Sequence, residues 1–250
     1  MTRDPVALGT VLDSSTSQML WRRGDPPTPE QMANMKQFRA AADARMADLC
    51  HPRRTFANLV GERYVACRFE NFDAGNDSHA EQRHKALATC QAIASKITEV
   101  IGRGQNVVLV GPVGTGKDHL GACMLREVVR AGLSCERING ADLAGQCRDL
   151  IGGHSTERDF LERWASVKLL FVSDLDGSRE KATDFYAEWL YRIVDSRYRD
   201  SASVWANINA KSDQDARDRV GARIWDRIIH RAIVIRTNWP SYRKPARGVN

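Results

Sequence analysis

The chain has no cysteine pair at C-x-x-C spacing, no internal repeat and no low-complexity tract. It also has no apolar run approaching the roughly eighteen residues that cross a bilayer. The N-terminus lacks an apolar leader core, so neither export nor a membrane span is expected, and the expected location is cytoplasmic. The six cysteines, Cys50, Cys67, Cys90, Cys123, Cys135 and Cys147, are scattered, and at least two sit in apolar periodic segments. They read as reduced core thiols in a cytosol. A zinc site on Cys50, His51 and Cys67 is not expected, because the paired spacing of structural zinc modules is missing.

What is present bounds the rest. With 250 residues, 42% of them hydrophobic, the chain can bury one full core and a small appended segment. A net charge of +6 and a pI near 9.1 permit a nucleic-acid partner without establishing one.

Residues 1–27 mix small, polar and proline-rich stretches and read as a flexible entry. Thr28-Pro29-Glu30-Gln31 then supplies a capping hydroxyl, a first-turn proline and a glutamine at the third position, which predicts a helix start. Met32, Met35, Ala42, Met46 and Leu49 follow at near-heptad spacing, interrupted by Arg39. This amphipathic arm either packs on the main domain or offers an adaptable docking surface. His51-Pro52-Arg53-Arg54 reads as a linker, giving a helical N-terminal segment over 1–55 and a main domain over 56–250.

From residue 56 onward helical and strand patterns alternate, which predicts an α/β fold with a parallel sheet covered on both faces. The expected strands are Asn106–Val110, Ser134–Ile138, Lys168–Val172, Val204–Asn207 and Ala232–Arg236. Expected helices cover Glu81–Ile101, the segment after the first strand, a stretch to Leu150, Glu157–Ala165, Ala182–Arg199 and Val220–His230.

The run Val107-Val108-Leu109-Val110-Gly111-Pro112-Val113-Gly114-Thr115-Gly116-Lys117-Asp118 is an apolar strand, a glycine-rich loop with a lysine, and a helix start. That layout binds polyphosphate: loop amides and the helix N-terminus face the phosphates, and the lysine reaches the β and γ oxygens. The next helix carries Leu120, Cys123, Met124 and Val128 on one stripe, as sheet packing requires. Gly111, Pro112, Val113, Gly114, Thr115, Gly116, Lys117, Asp118 and His119 are the expected ATP/ADP contacts.

The pattern G-x-x-x-x-G-K is normally followed by a Ser or Thr hydroxyl that holds Mg²⁺; here Asp118 stands there. A second acidic element is expected on a hydrophobic strand beside the loop, and Leu169-Leu170-Phe171-Val172-Ser173-Asp174 fits it. Ser173 occupies the position of the metal-associated carboxylate. Loop and strand have thus exchanged hydroxyl and carboxylate, and Asp118 and Ser173 are the expected Mg²⁺ ligands. Asp174 is the candidate for polarising the attacking water. Asn209 is the candidate for orienting that water, with Asn207 its competitor. Arg223 and Arg227, at i and i+4, are candidates for an arginine finger reaching a neighbouring subunit. Arg192, Arg197 and Arg199 offer a phosphate-facing edge or a solvated helix face.

Four blocks taken together resemble the DnaC-type replicative helicase loaders and the related IstB-type transposition helpers, both AAA+ ATPases. These are Cys67-Arg68-Phe69-Glu70-Asn71-Phe72-Asp73, Gly114 to Leu120, Leu190 to Tyr198, and Gly221 to Arg227 followed by Asn238-Trp239-Pro240-Ser241-Tyr242-Arg243. The resemblance spans about residues 56–245. It implies a weak P-loop ATPase using ATP and Mg²⁺, with Asp174 in the Walker B role, Asn209 as sensor, and Arg227, then Arg223, as finger. It further implies self-assembly in ATP, single-stranded DNA as ligand, and a replicative helicase gripped by the N-terminal segment. Two other readings stay open: a transposase-associated DNA-binding ATPase, and an adaptor that binds nucleotide without hydrolysing it.

Overall fold

The apolar run Val107–Val110 forms strand β1, every residue of which is buried, because it lies inside a sheet covered on both faces. The structure, a computed structural model, describes residues 52–151, 156–177 and 184–243. The arm expected over 28–50 lies outside the described residues. The other strands are β2 (Cys135–Asn139), β3 (Leu169–Ser173), β4 (Ser203–Ile208) and β5 (Ile233–Arg236). They pair in the order β2-β3-β4-β1-β5, all parallel.

Period-2 alternation sorts the strand residues between two cores. Val107 and Leu109 of β1, Phe171 of β3 and Trp205 of β4 face helices α1 (Pro52–Val60), α3 (Ala80–Ser95), α4 (Ile97–Gly102) and α5 (Lys117–Arg130). Val108, Val110, Val172 and Ile208 face the opposite layer. That layer comprises α6 (Gly140–Ile151), α7 (Glu157–Ser166), α8 (Asp184–Arg199) and α10 (Ala222–Ile229). A short α2 (Glu62–Val65) follows α1, and α9 (Asp213–Val220) precedes α10. Helix α5 crosses β3 closely enough that a methyl group on Gly121 would approach the Phe171 ring to 2.7 Å. Among the described residues no helix is long and apolar enough to cross a membrane.

Several elements differ from the sequence expectation. The helix expected over Glu81–Ile101 is two helices, because Lys96 leaves helical geometry at φ −121° and ψ 28°. The helix expected from Val220 is preceded by α9, capped by the Ser212 hydroxyl accepting from the Asp215 amide at 3.1 Å. Gly221 at φ +92° separates the two helices. Helix α1 begins inside the stretch read as a linker, and it buries Phe56 and Val60 in the core.

Arg197 corrects a second expectation. It is fully buried, so it presents neither a phosphate-facing edge nor a solvated face. Its guanidinium donates to the carbonyls of Trp164 (2.7 Å), Val167 (3.0 Å), Lys168 (3.1 Å) and Ser203 (2.8 Å). It therefore joins the end of α7 to the starts of β3 and β4, and burial pulls its pKa down to about 10. Arg192 pairs with Glu157 at 3.0 Å and lies over the Trp189 ring.

Candidate functional site

The carboxyl ends of β1, β3 and β4 open onto one cleft of about 870 Å³. This is where open α/β sheets bind ligands, at the point where the strand order reverses. The loop after β1 lines it with Val113, Gly114, Gly116, Lys117, Asp118 and His119. Gly116 sits at φ +86°, a backbone region that lets the loop turn directly into α5.

The loop is braced from outside by the segment after β5. The Tyr242 amide donates to the Gly114 carbonyl at 2.9 Å, the Trp239 indole to the Thr115 carbonyl at 3.0 Å, and the Thr115 and Thr237 hydroxyls meet at 2.8 Å. Several loop carbonyls are thereby committed outward, and the first-turn amides of α5 lack intrahelical partners. Lys117 is buried and donates from Nζ to the carbonyls of Gly111 (2.8 Å) and Pro112 (2.6 Å). Burial pulls its pKa down to about 8, opposed by Asp118, Asp174 and Asp176.

A bound phosphate favours the ammonium, so it raises that pKa, and anion binding above about pH 8 must take up a proton. Affinity for ATP is therefore expected to be flat below about pH 7.5 and to fall by up to about tenfold per pH unit above 8. Titrations across that range check this; an affinity still flat well above about pH 9 contradicts it.

Two acidic residues are held in parallel fashion. Asp118 Oδ1 accepts from Arg137 Nη2 at 3.2 Å and from Asn207 Nδ2 at 3.0 Å. Asp174 accepts from Asn139 Nδ2 at 3.0 Å on one oxygen and from Asn209 Nδ2 at 2.9 Å on the other. Each carboxylate thus has one partner from β2 and one from β4 or the residue just past it, because i and i+2 share a strand face. The Asn207 amide oxygen also accepts from the Asp174 amide at 2.7 Å. Asp174 itself is at φ +49°.

Of the residues expected from sequence, Asp118, His119, Asp174 and Asn209 line the cleft with the loop. Ser173 does not: it is buried, and its hydroxyl donates to the Ile138 carbonyl of β2 at 3.4 Å. Arg227 is engaged within its own chain, donating to Asp195 at 2.8 Å and to the Tyr191 hydroxyl at 3.2 Å. Arg223 is exposed, and its guanidinium has no partner among the described residues.

Sequence reading missed several lining groups. Asp176 is buried beside Asp174 and pairs with Arg219 of α9 at 3.4 Å. Arg63, Tyr64, Phe72, Tyr242 and Arg243 close the far end. There Phe72 meets His119 and Tyr242 edge-on at 5.5 and 6.0 Å, and the Tyr242 hydroxyl donates to the Asp73 carbonyl at 2.6 Å. The quoted motif blocks containing Phe72 and Tyr242 were the available signal; α2 carried none.

Among the described residues no three acidic, cysteine or histidine groups gather as a metal cage. Mg²⁺ at a nucleotide site normally takes one or two carboxylates plus phosphate oxygens and water, so this donor set fits it. Asp118 Oδ2 accepts no hydrogen bond among the described residues, and each Asp174 oxygen keeps a lone pair beyond its one amide partner.

The family described as IstB-like ATP binding protein matches residues 42–248. The chain belongs to this family. Within the reach of this IstB-like chain, the protein named replicative helicase loader DnaC from Escherichia coli strain K12 is 26% identical over 215 residues. The match covers 84% of this chain and 83% of that protein. The protein of the same name from Buchnera aphidicola subsp. Schizaphis graminum is 26% identical over 194 residues, covering 76% and 74%. Among solved structures, the DnaC helicase loader superposes with a TM-score of 0.60 at 20% identity, covering 70% of this chain and 99% of that one. The replication initiator DnaA bound to AMPPCP and single-stranded DNA gives 0.56 at 18% identity, covering 71% of this chain and 50% of that one. The fold is therefore the AAA+ P-loop fold.

Proposed function

We propose that this IstB-like chain is an ATP-dependent loader of a replicative DNA helicase. The observation that carries the reading is the cleft itself: a phosphate loop with a buried lysine faces Asp174, whose two oxygens are held by Asn139 and Asn209. The curated relatives named helicase loaders supply the process. Mg²⁺, when bound with nucleotide, would be held by Asp118 and Asp174 and would neutralise charge on the β and γ phosphates. Asp174 orients and polarises the attacking water, Asn209 fixes the carboxylate, and Lys117 holds the phosphates. A neighbouring copy presents Arg223, or Arg227 once it leaves Asp195, to the γ-phosphate. Single-stranded DNA is the proposed nucleic-acid ligand.

The N-terminal residues are the proposed grip on the helicase. Because α1 starts at Pro52 and buries Phe56, deletion should stop at residue 48 rather than 55. The full chain is expected to capture the replicative helicase of its own cell in ATP, and the chain lacking residues 1–48 to lose at least about tenfold in that affinity. Failure of the full chain to bind helicase, together with capture of a transposase on duplex DNA, would favour the transposition reading.

A further inference from the structure

The two carboxylates at the phosphate end of the cleft are not equivalent. Asp174 is held by two neutral amides, whereas Asp118 is held by one amide and one guanidinium. Both Arg137 and Asp118 are mostly shielded, with side chains 16% and 23% exposed, so water screens the pair only partly. Arg137 also lies over the Tyr64 ring, its guanidinium 5.4 Å from the ring centre. An aspartate in this loop position has a clear liability: it puts a carboxylate on the wall of the cleft that a polyphosphate would enter. A hydroxyl there would have none.

Resting on the nucleotide-binding reading, we propose that Arg137 and Asn207 are positioning residues that make Asp118 tolerable to a nucleoside triphosphate before any cation arrives. Arg137 cancels the carboxylate's charge, and the two donors pin Oδ1 so that Oδ2 is left for a divalent cation. In consequence the protein admits metal-free nucleotide, and its affinity depends only weakly on Mg²⁺. Without Arg137 the bare carboxylate repels the phosphates unless Mg²⁺ stands between them, so the chain becomes Mg²⁺-dependent. Edge strand β2, which carries no nucleotide-binding motif, thus sets the cation requirement of the site.

The test is calorimetric titration of the full chain with ATP, once in excess EDTA and once in excess MgCl₂, for wild type, Arg137→Gln, Asp118→Asn and the double variant. Wild type is expected to differ by less than about tenfold between the two conditions. Arg137→Gln is expected to lose about 30-fold or more in EDTA but less than about threefold in MgCl₂. The double variant is expected to recover the EDTA affinity, because the repelling charge is gone. Equal losses in both conditions, an unchanged ratio, or a double variant that keeps the Mg²⁺ dependence would overturn the proposal while leaving nucleotide binding intact. If wild type binds ATP in neither condition, the nucleotide reading itself fails and takes this proposal with it. Arg137→Lys, which keeps the charge but not the planar fork, covers the case in which Arg137→Gln does not fold; it should bind in EDTA to within about fivefold of wild type. A larger loss for Arg137→Lys, confined to EDTA or not, contradicts charge cancellation as the cause.

Discussion

Lys117→Ala is expected to weaken ATP binding by about 100-fold or more. The side chain is buried at the start of α5 and makes two hydrogen bonds to loop carbonyls, so its ammonium is held against the phosphate loop. Each hydrogen bond from a charged donor contributes about 1.5–3 kcal/mol, so the third ammonium donor and one released from a carbonyl, given to phosphate, amount to roughly two powers of ten or more in affinity. The fold should survive. Removing a cation whose pKa is already pulled down to about 8 by burial relieves a desolvation cost, and the Tyr242 and Trp239 braces on the loop do not involve it. Fluorescence or calorimetric titration gives the affinity and thermal melting the stability. A variant that melts normally and binds ATP within about threefold of wild type would remove Lys117 from the site.

Arg197→Ala is expected to destabilise the domain by about 3–5 kcal/mol, as breaking a buried charged network does. The carbonyls of Trp164, Ala165, Val167, Lys168 and Ser203 lose a common donor, and the guanidinium that served them is itself fully buried. Lysine should not rescue, because one ammonium cannot span carbonyls arranged around a planar fork. In a domain of this size the loss amounts to roughly 6–20 °C in Tm. Urea denaturation of both variants checks it; a loss below about 1 kcal/mol would mean that water or repacking replaces the guanidinium.

These two residues mark what the sequence makes readable. Lys117 stands out because a continuous apolar strand, three glycines and a helix stripe fix its place by local rules alone. By its charge Arg197 reads as a phosphate-facing or solvated group, yet it falls on the stripe Leu190, Ile193, Val194, Arg197 that points into the core. Periodicity outranks residue type there. The parallel sheet was legible to within a residue or so at each strand, since strands buried on both faces read as apolar runs.

The supports of the site were much less legible. Arg137 and Asn139 sit on an edge strand with little apolar signal, and their importance comes from register beside β3, a long-range fact. Arg219 lies on α9, a polar helix absent from the sequence expectation, and it reaches Asp176 across a long sequence separation. By the hydroxyl–carboxylate exchange with the loop, Ser173 reads as a metal ligand. In the strand it is buried, and its hydroxyl is spent on the Ile138 carbonyl of the neighbouring β2.

The most direct measurement is titration of the purified full chain with ATP in excess MgCl₂. The account requires saturable binding at one site per chain, lost in Lys117→Ala. Absence of any saturable uptake by a correctly folded wild-type chain would contradict it.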